Sequence, residues 1–214
     1  MLVGCHVSIR GGYAEAAVRA ARLGCTAFQY FPKNPRALGL KAFDRADARR
    51  CAAYSRERGI VSIAHAPYPV NLAAERPEQR ERMTESLLND LDIAEACGSI
   101  GVVVHFGVYK GADPLAGYRL ILDALNAVLA RWTGEAKLLI ENQAGDHAPM
   151  GTTIEELVQI RRLCAHPERV AFCLDTCHLF ASGEWNGRNE ADWFRRAREL
   201  NYFDHLAVVH ANDS

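Results

Sequence analysis

Side chains able to hold a cation recur at one kind of place in this sequence. His6, His65, His105, Glu141, Asp175 and His210 each follow directly on a short apolar run, and His178 lies three residues beyond Asp175. A lone histidine after a strand is ordinarily satisfied by nearby polar groups. When several independent runs end in ligand-type residues, each buried polar group needs its own partner, whereas one shared metal centre satisfies them together. Imidazole and carboxylate donors without cysteine favour zinc, with manganese or iron also compatible, and a carboxylate among histidines can bridge two ions. Paired cations suit phosphoryl chemistry, because they lower the pKa of a water, hold a phosphate and neutralise a departing oxygen. Within "FCLDTCH" (Phe172–His178), Asp175 ends the run and His178 lies in the following turn, so the two can serve neighbouring ions. His147, His166 and His205 lack this placement and read as structural or surface residues.

The elements that position these residues are legible as alternation. Apolar runs at Leu2–Cys5, Thr26–Tyr30, Ile60–Ala64, Ser99–Val104, Lys137–Ile140, Val170–Leu174 and Leu206–Val209 are separated by longer amphipathic stretches, the pattern of repeated βα units. Leu115, Tyr118, Leu122, Leu125 and Leu129 mark one helix face, and Met83, Leu87, Leu91 and Ala94 another. Thr152 with Glu155 is a candidate capping box, and Gly24, Gly59 and Gly98 stand where helices should stop. The pattern predicts a TIM-type (β/α) barrel whose strand ends open on one face, where such folds place their chemistry.

The chain has 214 residues, 49% of them hydrophobic, so one domain spanning 1–214 is expected. Neither a signal-like N-terminus nor an apolar run of roughly 20 residues is present, which predicts a cytoplasmic protein without a membrane. Seven cysteines, with no CxxC pair, read as small buried hydrophobes. A net charge of -1 argues against coating nucleic acid by bulk electrostatics, although a metal cluster can still engage phosphates.

"HAPYPVNLA" (His65–Ala73), "FCLDTCH" and "VVHANDS" (Val208–Ser214) resemble the three signature segments of the endonuclease IV family of apurinic/apyrimidinic endonucleases. "GCHVSIRGG", "FPKNPR" (Phe31–Arg36), "VVHFG" and "LIENQAG" match as well, so the resemblance covers essentially the whole chain. It implies a (β/α)8 barrel of the xylose isomerase-like kind that carries three zinc ions and cuts double-stranded DNA 5′ to abasic sites. The products are a 3′-hydroxyl and a 5′-deoxyribose phosphate. By the resemblance, His65, His105 and Glu141 hold a first zinc. Glu141 bridges to a second shared with Asp175 and His210, and His178 belongs to a third. A hydroxide between the first two ions attacks phosphorus in line. Manganese is an alternative metal, and the protein is expected to act as a monomer. Arg36 and Tyr68 match the family's residues that enter the minor groove and support an extrahelical abasic nucleotide. Lys33 and Asn34 are expected to touch phosphate. Pro69 departs from the pattern, standing where a bulky aliphatic residue often follows the tyrosine.

Against the family pattern the last βα unit is absent, so the chain is expected to be an endonuclease IV stopped early and weakly active or inactive. A sugar isomerase or epimerase on the same barrel is the competing enzyme. His65, His105 and the "KNPR" and "HAPY" loops argue for DNA instead. The third reading is a non-catalytic metal- or DNA-binding remnant.

Overall fold

The structure is a computed structural model describing residues 1–145 and 149–213, so His147 and Ser214 lie outside the described residues. In chain order the elements are β1 (Gly4–His6), α1 (Tyr13–Arg22), β2 (Ala27–Tyr30), α2 (Arg45–Arg58), β3 (Val61–His65), α3 (Pro77–Ala96) and β4 (Gly101–His105). They continue with α4 (Pro114–Arg131), β5 (Lys137–Glu141), α5 (Ile154–Leu163), β6 (Val170–Asp175), α6 (Thr176–Ala181), α7 (Glu190–Glu199) and β7 (Leu206–His210). Every ligand-type residue expected just after a strand is instead the strand's last residue. The ladder explains this: pairing continues through His65↔Val103, Glu141↔Cys173 and Asp175↔His210.

The chain divides into two compact units. The first comprises Met1–Val70, Arg82–Val103 and Arg131–Lys137. Here β1 pairs with β2, β2 with β3 and β3 with β4, all parallel. Alanines 16, 17 and 20 are buried on α1, which packs on α2 where Ala48 and Cys51 are buried. Helix α2 ends on Gly59, whose φ of 64° supplies the left-handed cap. On α3 the expected face is buried, with Met83, Leu87, Leu91 and Ala94 at 3, 1, 0 and 0% exposure. Each buried leucine contributes about 1.5–3 kcal/mol, so this stripe fixes the rotation of α3 and the direction of its polar residues.

The second unit comprises Asn71–Glu81, Val104–Ala130 and Leu138–Ser214. Strand β5 pairs with β6 and β6 with β7, again parallel, with an irregularity at Phe172/Cys173. Phe172 stacks on Tyr202 with centroids 4.7 Å apart. The apolar face of α4 differs from expectation: Leu115 is exposed, and the buried residues are Gly117, Ile121, Ala124, Leu125, Val128 and Leu129. Gly117 is the reason. A Cβ there would lie 2.8 Å from the Tyr109 ring, so its absence lets that side of the helix approach closely. The capping box of α5 is Thr153 with Glu156, one residue later than expected. The helix begins at Ile154, which places Ile154, Leu157 and Val158 in the core and makes Thr153 the cap.

Candidate metal centre

In the second unit the ends of β4, β5, β6 and β7 bring His105, Glu141, Asp175 and His210 together, and the first turn of α6 adds His178. Glu141 is 1% exposed and engages partners through both oxygens. Its Oε2 lies 3.1 Å from His105 Nε2, and its Oε1 lies 3.1 Å from His210 Nδ1 and 3.4 Å from His178 Nδ1. Glu141, Asp175 and His178 each offer a ligand atom within 4.8 Å of the others. Buried carboxylates are stable when paired or when they coordinate a metal, and an acidic pair flanked by imidazoles is a donor set that fits zinc or manganese. Burial lowers the affinity of His105 for a proton, but its hydrogen bond to Glu141 and the charges of Glu141 and Asp175 turn the net shift upward.

The backbone around this cluster is stitched by residues that the sequence alone did not single out. Asn142, 1% exposed, accepts from the Asp175 N–H at 2.7 Å and donates to the Asp175 carbonyl at 3.0 Å. His178 Nδ1 donates to the Asn142 carbonyl at 2.8 Å, which leaves Nε2 as the lone-pair nitrogen suited to a metal. Asp175 Oδ1 caps α6 by accepting the His178 N–H at 2.9 Å, while Oδ2 accepts from Asn212 Nδ2 at 2.5 Å. Thr176 Oγ1 donates to the carbonyl of Asn212 at 2.8 Å. The only sequence signal for Asn142 was its place directly after Glu141 in "LIENQAG". Cys173, expected to be a buried hydrophobe, lies with Glu141 and His210 in another potential ligand group. Burial first, then the charges of Glu141 and Asp175, push its thiol far up, so it packs there protonated. Behind His105, Gly107 has φ 90°, and a Cβ would fall 2.1 Å from Asn71 Oδ1, the oxygen that accepts the Val108 N–H.

In the first unit, His65 ends β3 at 7% exposure, with Nδ1 donating to the Ala66 carbonyl at 2.8 Å. Phe31 stands beside it, its ring centroid 5.2 Å from His65, 5.2 Å from Tyr68 and 4.8 Å from His6. Tyr68 is 67% exposed. Its N–H donates to the Pro35 carbonyl at 2.8 Å, joining the loop of Tyr68 to the loop of exposed Asn34 and Arg36. Lys33 corrects the expectation of a phosphate contact: it is buried, 3.1 Å from Asp90, and donates to the Ser86 carbonyl at 2.6 Å. His166 pairs with Glu168 at the surface, and His205 packs near Phe172.

The xylose isomerase-like TIM barrel family matches residues 17–214. A probable endonuclease 4 of Symbiobacterium thermophilum is 44% identical over 100% of this chain and 78% of its own length. The crystal structure of endonuclease IV from Thermus thermophilus superposes with a TM-score of 0.83 at 34% identity, covering 99% of this chain and 77% of that one. A 3-keto-D-glucoside 4-epimerase from E. coli superposes with a TM-score of 0.67 at 16% identity, over 98% of this chain and 78% of that one, which shows the shared fold alone. No described helix is long and apolar enough to cross a membrane.

Proposed function

Because the chain belongs to the endonuclease IV family of xylose isomerase-like TIM barrels, we propose that it is a metal-dependent phosphodiesterase that incises double-stranded DNA 5′ to abasic sites, leaving 3′-hydroxyl and 5′-deoxyribose phosphate ends. The observation that carries this reading is the double engagement of Glu141, one oxygen toward His105 and the other toward His210, an arrangement in which one carboxylate would serve ions held by either histidine. By the family resemblance, His65, His105 and Glu141 would hold one ion, Glu141, Asp175 and His210 a second, and His178 would belong to a third. Zinc, or manganese in its place, supplies Lewis-acid polarisation of the phosphate and activation of water when bound.

The chain's own residues do the positioning. Asn142 sets the backbone of Asp175 and the tautomer of His178, and Ala66 sets that of His65, so each donor faces one way before substrate arrives. Arg36 and Tyr68, exposed on joined loops, enter the minor groove and support the extruded nucleotide, whose missing base makes extrusion less costly. Exposed Pro69 follows Tyr68 as a stiff edge rather than a bulky wedge.

The test is a duplex bearing one abasic analogue, incubated with zinc- or manganese-loaded protein. The expected product is a single nick 5′ to the lesion whose 3′ end a polymerase extends, with the undamaged duplex left intact. A nick elsewhere, cleavage of undamaged duplex, or an end that cannot be extended overturns the assignment, and folded, metal-loaded protein that binds the abasic duplex without nicking it is the non-catalytic remnant instead.

A further inference from the structure

The loop between β2 and α2 carries Asn34 and Arg36, and two consecutive residues of α3 hold it at both ends. At its start Lys33 reaches Asp90 at 3.1 Å and the Ser86 carbonyl at 2.6 Å, with side-chain exposures of 2% for the lysine and 0% for the aspartate. At its end Asn89 Oδ1 accepts the Lys41 N–H at 2.8 Å, and Asn89 Nδ2 donates to the Lys41 carbonyl at 3.1 Å. Pro32 is held as well, its carbonyl accepting from Tyr13 Oη at 2.8 Å and from Lys41 Nζ at 3.2 Å. Between these points the chain turns on Asn34, whose Oδ1 accepts the Arg36 N–H at 3.0 Å, and the Pro35 carbonyl accepts the Tyr68 N–H.

A buried ion pair is a costly way to hold a surface loop. Moving both charges out of water costs several kcal/mol per ion, and well-packed apolar residues would often be at least as stable. What the pair offers over apolar packing is direction: a lysine that must meet one carboxylate and one carbonyl has one place to be. The segment it fixes is the one that presents Arg36 beside Tyr68.

We infer that Lys33 is a positioning residue for DNA recognition, and that its buried pairing with Asp90 holds the Asn34–Arg36 turn against the Tyr68 loop. This rests on the proposed action on abasic DNA for its functional half. The structural half, that the pair orders the loop, stands on the protein alone.

The experiment compares Lys33→Met and Asp90→Asn in the full chain by amide hydrogen exchange without DNA and by binding to an abasic duplex. Folding is checked by near-UV circular dichroism, and Lys33→Met/Asp90→Leu serves as an apolar substitute should either single variant unfold. In each folded variant the amides of Arg36 and Tyr68 should exchange at least tenfold faster, while that of Leu91 inside α3 stays unchanged. Both variants should bind abasic duplex at least tenfold more weakly with unaltered metal content. Asp90→Asn is the discriminating variant. It removes a negative charge and keeps the lysine, so a lysine that served phosphate directly would bind as well as before or better. Unchanged exchange in the variants, or undiminished binding by Asp90→Asn, overturns the inference. Faster exchange in a protein whose wild type shows no preference for abasic duplex sustains the ordering role and overturns the proposed function instead.

Discussion

Asn142 and Asp175 exchange two hydrogen bonds, side chain of one to backbone N–H and carbonyl of the other, at 2.7 and 3.0 Å. The clamp fixes the residue that both caps α6 and contributes a carboxylate to the cluster. Replacing Asn142 by alanine leaves two buried backbone groups without it. Loss of such an outer partner typically weakens metal affinity about 10–100-fold. Competition with a chromophoric chelator should show that loss, and wild-type affinity in Asn142→Ala would remove the clamp from the account.

Glu141→Gln keeps the shape of the side chain and removes its charge from between two histidines. Incision of an abasic duplex under single-turnover conditions should fall by a hundredfold or more, the scale of losing one major electrostatic contact in a transition state. Arg36→Ala should show its larger effect on binding, with a smaller loss of single-turnover rate at saturating protein. Equal losses in the two saturated rates would contradict these roles.

Removing metal should lower the thermal midpoint. A cation at about a hundred times its dissociation constant adds about 2.7 kcal/mol if it binds only the folded state. Adding zinc to chelator-treated protein should restore the midpoint. Asp175→Asn, which also weakens the α6 cap, should blunt the response, and a metal-independent midpoint in the wild type would argue against the centre.

The pH dependence of stability follows from Asp90. Burial pushes its carboxyl from an ordinary 3.8 up to about 7, against the pull of Lys33. Because the folded value is the higher one, the stability this group contributes is full below about pH 4 and is lost as pH rises through about 7. Lys33, lowered by burial from 10.5 and pulled back up by Asp90, changes stability at higher pH and in the opposite direction. Urea unfolding should therefore show the advantage of wild type over Asp90→Asn shrinking between pH 5 and 8. A growing advantage would contradict the direction.

Thr153→Ala removes the cap oxygen of α5 and should cost about 1 kcal/mol in chemical denaturation, leaving metal content unchanged.

The βα units and the residues that end the strands were legible because those side chains are unlike the apolar residues before them. The capping box was not, since "GTTIEE" satisfies the pattern in two registers and only the backbone at Thr153 decides between them. Lys33 was misread because lysine is rarely buried without a partner, and its partner lies on a helix far along the chain. The buried face of α4 turned on Gly117, a residue invisible to any count of apolar side chains.

Asp175 caps a helix of only six residues, and just beyond that helix the backbone N–H of Trp185 donates to the Leu179 carbonyl at 3.1 Å, with the Trp185 ring 6.2 Å from Phe180. The chain thus carries an indole chromophore on the same short segment as His178. Of the other two tryptophans, Trp132 belongs to the first unit and Trp193 is 3% exposed in a cluster with Phe194 and Tyr202. Half-buried Trp185 is therefore the tryptophan placed to register a change in α6 as a change in emission, an optical readout of the first turn that needs no attached dye.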